Sequence, residues 1–330
     1  MNGNRGKRVL RRLWIGTILL AAYASLLAAS PPDAGFKIQW LHPRQVGDRQ
    51  RAHIVLNRTL EHVVKKADKE LSRKAQNSRT EFQGDYEVNE VREDGFPSKL
   101  TITVEKATTK IELAAAIELV KPKTVLIVER KDEKDTVVPA DESVKLSDDA
   151  QQLLTALAWL GGPQNEANYR GLLDAGKPQK IGDHWNVSPS AGAKKMEGFD
   201  PRLEAKAVSG IAELTKPPHA EDFLEVKYAF SAKSDNAPAG APPDMMPVGA
   251  TQKISGTVRL PADNSTGLVS CSERIITERN FKTKPGELER DKTPQEHIFR
   301  QIESAEVRIE YGKKGPEVGD KGPRKGASGK

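Results

Sequence analysis

Tyr86-Glu-Val-Asn-Glu-Val91, Asp94-Gly95 and Leu100-Thr-Ile-Thr-Val104 together decide the fold class of this chain. Apolar and polar residues alternate on both sides of the Asp-Gly pair. That is the period of a half-buried strand, and Asp-Gly between two such runs closes a tight turn. The stretch predicts an antiparallel hairpin. The same alternation returns in Val208–Leu214, in Leu224, Val226, Tyr228 and Phe230, and in Ile254, Gly256, Val258 and Leu260. It returns again in Val307, Ile309 and Tyr311, while Leu268–Ile276 reads as a further strand and Thr124–Arg130 as a buried one. The expected class is α+β, mainly antiparallel β.

Residues 51–75 fit two periods. Ile54, Leu56, Leu60 and Val64 suit a strand; Leu56, Leu60, Val63, Val64, Ala67 and Leu71 suit a helix. The preceding Gly47-Asp48 pair favours the strand, because a second Gly-Asp pair, Gly182-Asp183, also leads into an extended segment.

The clearest helix starts at Ser147, where Asp148 and Asp149 suit the helix dipole. It carries Ala150, Leu153, Leu154, Leu157 and Leu160 on one face and stops at Gly161-Gly162. Short helices are expected over Lys110–Lys121 and Ala191–Glu197. Residues 131–146 read as a charged loop, Pro163–Gln179 as a linker, Ser231–Ala250 as a flexible insertion, and 31–45 as a weakly structured lead-in.

Gln45-Val-Gly-Asp48 and Lys180-Ile-Gly-Asp183 stand at the head of two similar series of strands, which predicts two loosely repeated β-rich lobes joined by a helix. The expected boundaries are 1–30 for an export segment, 31–146 for the first lobe and 147–176 for helix and linker. The second lobe follows at 177–312, and 313–330 is a basic tail with little apolar content, expected to be disordered.

The net charge of +6 is unevenly placed. Residues 1–30 hold five cations and no acid, and the segment from Gly312 holds six cations against two acids, so the body between is slightly acidic. An acidic body is a poor binder of phosphate backbones, and no nucleic-acid partner is expected.

The basic N-terminus precedes an apolar run, Leu13–Ala29, closed by Ala28-Ala29-Ser30 and Pro31-Pro32. This is the pattern of a secretory signal, with an uncleaved membrane anchor as the alternative. Membrane association is expected only through this segment, and the location is the periplasm or cell envelope. With one cysteine, Cys271, the chain cannot form an intramolecular disulfide, and that residue reads as a small buried group on its strand.

No catalytic set can be assembled. Gly171-Leu-Leu-Asp-Ala-Gly-Lys177 has the letters of a phosphate loop, but Pro178 replaces the hydroxyl residue and no strand precedes it. His42, His53, His62, His184, His219 and His297 show no metal-ligand spacing, although His53 and His62 could meet a further ligand through space. No nucleophile elbow appears. No cofactor and no metal are expected.

The remaining candidates are Asp183 and Trp185. An acid and an indole at a strand entrance could line a binding cleft; structurally, Asp183 would cap a turn and Trp185 would plug the core. The Lys180-Ile-Gly-Asp-His-Trp185 block and Thr266-Gly267-Leu268 resemble a group of exported bacterial proteins of unknown function with a mid-chain Val/Ile-Gly-Asp-x-Trp motif. That resemblance spans roughly residues 145–312. It implies export and β-rich architecture, and no activity.

The expectation is therefore a non-enzymatic binding or structural module. A hydrolase with carboxylates converging near Asp183, or a carrier of lipid or other hydrophobic ligands, remains open beside it.

Overall fold

The two Gly-Asp turns are the same structure built twice. Gly47 and Gly182 both sit at φ +88°, a region open to glycine at little cost. Asp48 accepts the Gln45 amide and Asp183 the Lys180 amide, each at 2.8 Å. Gly47 then donates to the Val88 carbonyl and Asp48 accepts from the Val88 amide; Gly182 and Asp183 do the same with Leu214. Each turn thus hands the chain to a strand pair in identical fashion.

The computed structural model describes residues 35–131, 134–160, 163–217, 220, 222–235, 243–284 and 294–312. The expectations for 1–30 and 313–330 lie outside these. Twelve strands follow in order: β1 (Arg49–Lys66), β2 (Lys69–Val91), β3 (Pro97–Ile111), β4 (Ile117–Glu118), β5 (Val125–Lys131), β6 (Lys134–Pro139), β7 (His184–Asn186), β8 (Val208–Thr215), β9 (Phe223–Ser234), β10 (Met245–Pro261), β11 (Ser270–Thr283) and β12 (Gln295–Tyr311). Helices α1 (Asp148–Leu160), α2 (Pro163–Leu173) and α3 (Pro189–Lys195) lie between β6 and β8.

All strands join one antiparallel sheet in the order β6-β5-β3-β2-β1-β12-β11-β10-β9-β8-β7, with β4 beside β3. Each half is a meander. The halves meet where the first strand of one pairs with the last strand of the other, from Gln50 opposite Tyr311 to Lys66 opposite Gln295. We call this pairing the seam.

Register sorts the two faces. On the inner face Ile54 lies beside Phe82 and Val307, and Tyr86 beside Ile102; these belong to one buried cluster with Leu154 and Leu157 of α1, Leu172 and Leu173 of α2, and Met196 after α3. The helices thus cover the apolar part of that face, and burial there is the main stabilising term.

The outer face is charged. Arg51 bridges Asp85 (2.8 Å) and Glu105 (2.6 Å), Glu81 holds His53 and Lys106, and Arg300 joins Glu61 to Glu278. A membrane barrel presents an apolar band on its outward face, where a cation at mid-bilayer costs about 2–4 kcal/mol. This face is a hydrated one. Among the described residues no helix is long and apolar enough to cross a membrane.

The Tyr86–Val104 hairpin forms with Val88 opposite Leu100, and residues 51–66 are strand throughout. Five local expectations need correction. Lys110–Lys121 is no helix: β3 runs to Ile111, and β4 folds back on it with Ile117 opposite Thr109. Its apolar residues Leu113 and Ile117 are exposed, so a helix there would have nothing to pack against. The charged 131–146 stretch contains β6, held by fully buried Val137.

Pro163–Leu173 is helix α2 rather than linker, with proline at its first position, where the missing N–H costs nothing. Both ends of the 231–250 segment are strand, burying Ala232, Ser234 and Ala250; 236–242 lie outside the described residues. The lead-in is docked, with Trp40 in the core.

Candidate functional site

Three distant segments converge at one end of the seam. Arg44 comes from the docked lead-in, Glu166 from the first turn of α2, and Tyr311 from the end of β12. Arg44 Nη2 lies 2.5 Å from Glu166 Oε1, with both side chains buried. The Tyr311 hydroxyl is 2.9 Å from the Leu268 carbonyl and 3.2 Å from Glu166, and it accepts from Arg44 at 3.2 Å. The His42 backbone N–H reaches the other Glu166 oxygen at 3.2 Å, and the Arg44 guanidinium also rests 4.9 Å from the centre of the Tyr311 ring.

Glu166 stands at a helix N-terminus, where the dipole favours an anion. Burial nevertheless pushes its carboxyl up, against the pull of Arg44. Burial likewise pushes the Tyr311 phenol up. Gly267 makes room for this arrangement: a Cβ would lie 2.1 Å from Glu166 Oε1 and 2.9 Å from the Tyr311 hydroxyl, so any larger residue would displace these groups.

Beside this network is a cavity of about 340 Å³, lined by Arg44, Asp48, Tyr86, Val88, Leu100 and Tyr311 among others. Two of its lining side chains carry buried donors with no hydrogen-bond partner, the Tyr86 hydroxyl and Arg44 Nε. Burial drives the Tyr86 phenol well up, so it remains a protonated donor at neutral pH. Both atoms are closed off from solvent, so they meet an oxygen acceptor only when the cavity wall shifts, and the cation beside them is already matched by Glu166.

A second polar cluster lies under α2 and α3. Tyr228 donates to Glu273 at 2.6 Å, Lys195 reaches the same oxygen at 3.0 Å, and Asn165 Nδ2 is 3.6 Å from the sulfur of buried Cys271. Burial pushes the Cys271 thiol up to about 11. At pH 8 only roughly one molecule in a thousand then carries the thiolate that reacts. A thiol-disulfide reagent such as DTNB should leave the native protein untouched and react with one equivalent after denaturation. Rapid reaction of the native protein would show the thiol to be accessible.

Asp183 and Trp185 are not part of the seam cavity. Asp183 closes its turn through the Lys180 amide. Trp185, half-buried on β7, packs against the core and donates its indole N–H to the Leu173 carbonyl at 2.8 Å. The histidine pattern holds one surprise: His62 meets His297, with Nε2 of the first 3.2 Å from Nδ1 of the second. Among the described residues no three His, Cys, Asp or Glu side chains group so as to hold a metal ion.

Sequence reasoning missed Arg44, Glu166 and Tyr311 as a set. Their one advance signal was the Thr266-Gly267-Leu268 turn, whose glycine makes room for the Glu166 carboxylate.

No protein-family model and no curated protein matches the chain. Among solved structures, lipovitellin aligns at 8% identity and a TM-score of 0.34, over 82% of this chain and 26% of that one. The chain thus spans about a quarter of the lipovitellin chain. An outer membrane channel from Pseudomonas putida F1 aligns at 7% identity and a TM-score of 0.18, over 86% of this chain and 100% of that one. The outer membrane protein OprG from Pseudomonas aeruginosa gives 8% and 0.14, over 81% and 98%. Scores this low carry no inference about function.

Proposed function

We propose that the protein is an exported, non-enzymatic binding module of the periplasm or cell envelope, whose seam cavity takes a small molecule rich in acceptor oxygens, such as a carboxylate. One observation carries this reading: the Tyr86 hydroxyl and Arg44 Nε are buried, unpartnered donors on side chains that line the same cavity. An unmet buried donor costs about 1–3 kcal/mol, and a ligand oxygen that reached it through a shift of the cavity wall would remove that cost. Because Glu166 already offsets the Arg44 charge, a neutral or singly charged ligand suits the site better than a polyanion.

Against a carrier of hydrophobic ligands stands the filling of the apolar inner face by Leu154, Leu157, Leu172 and Leu173. Against a hydrolase centred on Asp183 stands the use of its carboxylate to close a turn. Export rests on the Leu13–Ala29 run and its basic flank. Mass spectrometry of the mature chain from fractionated cells tests it, and an intact Met1 in the membrane fraction would mean a retained anchor.

Tyr86→Phe tests the cavity. Removing an unpartnered hydroxyl should leave the free protein as stable as before or stabilise it by about 1 kcal/mol. The same change should abolish the rise in melting temperature that a singly charged carboxylate such as acetate produces in the wild type. A loss of stability exceeding about 1 kcal/mol would mean that the hydroxyl is already bonded, and the reading would fail.

A further inference from the structure

One row of side chains crosses the inner face near the Lys66–Gln295 end of the seam. Register sets Lys74 of β2, His62 of β1, Phe299 of β12 and Arg279 of β11 side by side across four strands. Residues 69–77 of β2 are exposed throughout, and Leu60 in the next row is 39% exposed, so this part of the face stands largely open. A cavity of about 290 Å³ lies here, lined by Leu60, His62, Lys74, Arg279, Phe299 and Gln301 among others. We propose that this cavity binds a small amphipathic anion, an oxyanion head such as a carboxylate joined to an apolar body.

The charge of the row is unmatched. Among the described residues, the side chains of Arg279 and Lys74 make no ion pair and no hydrogen bond. The acids nearby are engaged elsewhere. Arg300 holds Glu61 and Glu278 on the outer face, Arg58 holds Glu303, and Asp200 accepts from Ser234. Asp244 acts on His297, one row further toward the strand ends. Burial, and after it the Lys74 charge, lowers the pKa of His62, so the ammonium stands close to that ring.

The two cations differ in kind. Arg279 is half-buried, with its Nε sealed from solvent. The stem is thus held, and the fork of the guanidinium borders the cavity, where it can grip a carboxylate through two parallel N–H···O bonds. Lys74 is exposed and adds an attraction that salt screens.

Between the cations lies an apolar floor. His62 stacks on Phe299 with centroids 4.2 Å apart and planes 4° from parallel, and Leu60 adjoins them. The contact of His62 Nε2 with His297 Nδ1 at 3.2 Å keeps the stacked rings in place. An oxyanion alone would leave this floor in water, and an apolar molecule alone would leave Arg279 unmet. At roughly 30 Å³ per heavy atom the cavity holds about ten, the size of octanoate and well short of a two-chain lipid.

The site is separate from the seam cavity, which lies at the Gln50–Tyr311 end. The rise of an extended strand sets His62 roughly 40 Å along β1 from Gln50.

The test is calorimetric titration of the full chain with octanoate at pH 7.5 and low salt. One equivalent should bind, and octanol should bind at least about ten-fold more weakly, since it offers Arg279 no charge. Arg279→Gln should lose at least about ten-fold in octanoate affinity, the effect of a charge-assisted hydrogen bond, and Lys74→Gln about three-fold, that of an exposed charge. Arg51→Gln, on the outer face with Asp85 and Glu105, should bind octanoate as the wild type does. Arg279→Gln should also keep the acetate-induced rise in melting temperature that Tyr86→Phe removes, so the two sites stand or fall separately. A diazirine analogue of octanoate should photolabel the Leu60–His62 and Phe299–Gln301 segments of the wild type, a reading that needs no variant to fold. No binding by the wild type, octanol binding as tightly as octanoate, unchanged affinity in Arg279→Gln, or label confined to other segments would overturn the site.

Discussion

Glu166→Ala is expected to lower the unfolding free energy by about 3–5 kcal/mol, the range for removing one partner of a buried ion pair. The physical reason is what remains behind. The Arg44 side chain is almost fully buried, its Nε already lacks a partner, and Glu166 is its near neighbour of opposite charge. Without the carboxylate, a buried guanidinium loses its counter-ion, and the His42 amide and the Tyr311 hydroxyl each lose an acceptor. Urea denaturation measures the loss directly. Glu166→Leu combined with Arg44→Met should recover most of it, since replacing both charges with apolar groups of similar volume is often neutral or better. A single-variant loss below about 1 kcal/mol would mean that water reaches the pair and that it behaves like a surface contact. The closed end of the seam would then rest on packing rather than on this pair.

The strands most legible in the sequence are those with large apolar residues on the inner face, such as Tyr86–Val104, Leu224–Phe230 and Val307–Tyr311. The segments that escaped notice bury something else. Helix α2 turns Asn165, Glu166, Tyr169, Leu172 and Leu173 inward, a helical spacing in which three of five residues are polar or phenolic, so a hydrophobic period never appears. The ends of β9 and β10 bury Ala232, Ser234 and Ala250, residues small enough to pass for a loop. The β1–β2 turn gave no warning because Ala67 and Asp68 take positive φ without the usual glycine or asparagine. The Gly-Asp turns were legible in their letters, and their matching hydrogen bonds to Val88 and Leu214 give the repeat its structural content. The seam was out of reach. Pairing β1 with β12 depends on contacts across most of the chain, and both the Arg44 network and the histidine pair exist only because of it.

Trp185→Ala is expected to cost about 3 kcal/mol, the lower part of the range for truncating large aromatics, because the side chain is half-buried. Two contributions add up. The ring packs on the shared core, and its N–H serves the carbonyl of Leu173, the last residue of α2, one of the acceptors a helix leaves open at its end. Trp185→Phe separates them: it keeps most of the packing, and losing the bond alone should cost about 1 kcal/mol. The pair of variants also bears on ligand binding. With its N–H engaged by Leu173, the indole could meet a sugar or lipid only through its ring, so any such contact would depend on stacking and would survive in Trp185→Phe with modest loss. A ligand lost entirely in Trp185→Phe would therefore act through the N–H, which requires the Leu173 bond to break and α2 to shift at its C-terminal end. Full stability in Trp185→Ala would point the same way, to an indole that contributes little to the fold. Cost in both variants, graded as packing and bond predict, assigns this tryptophan to fastening α2 against the edge of the sheet, and leaves ligand recognition to the seam.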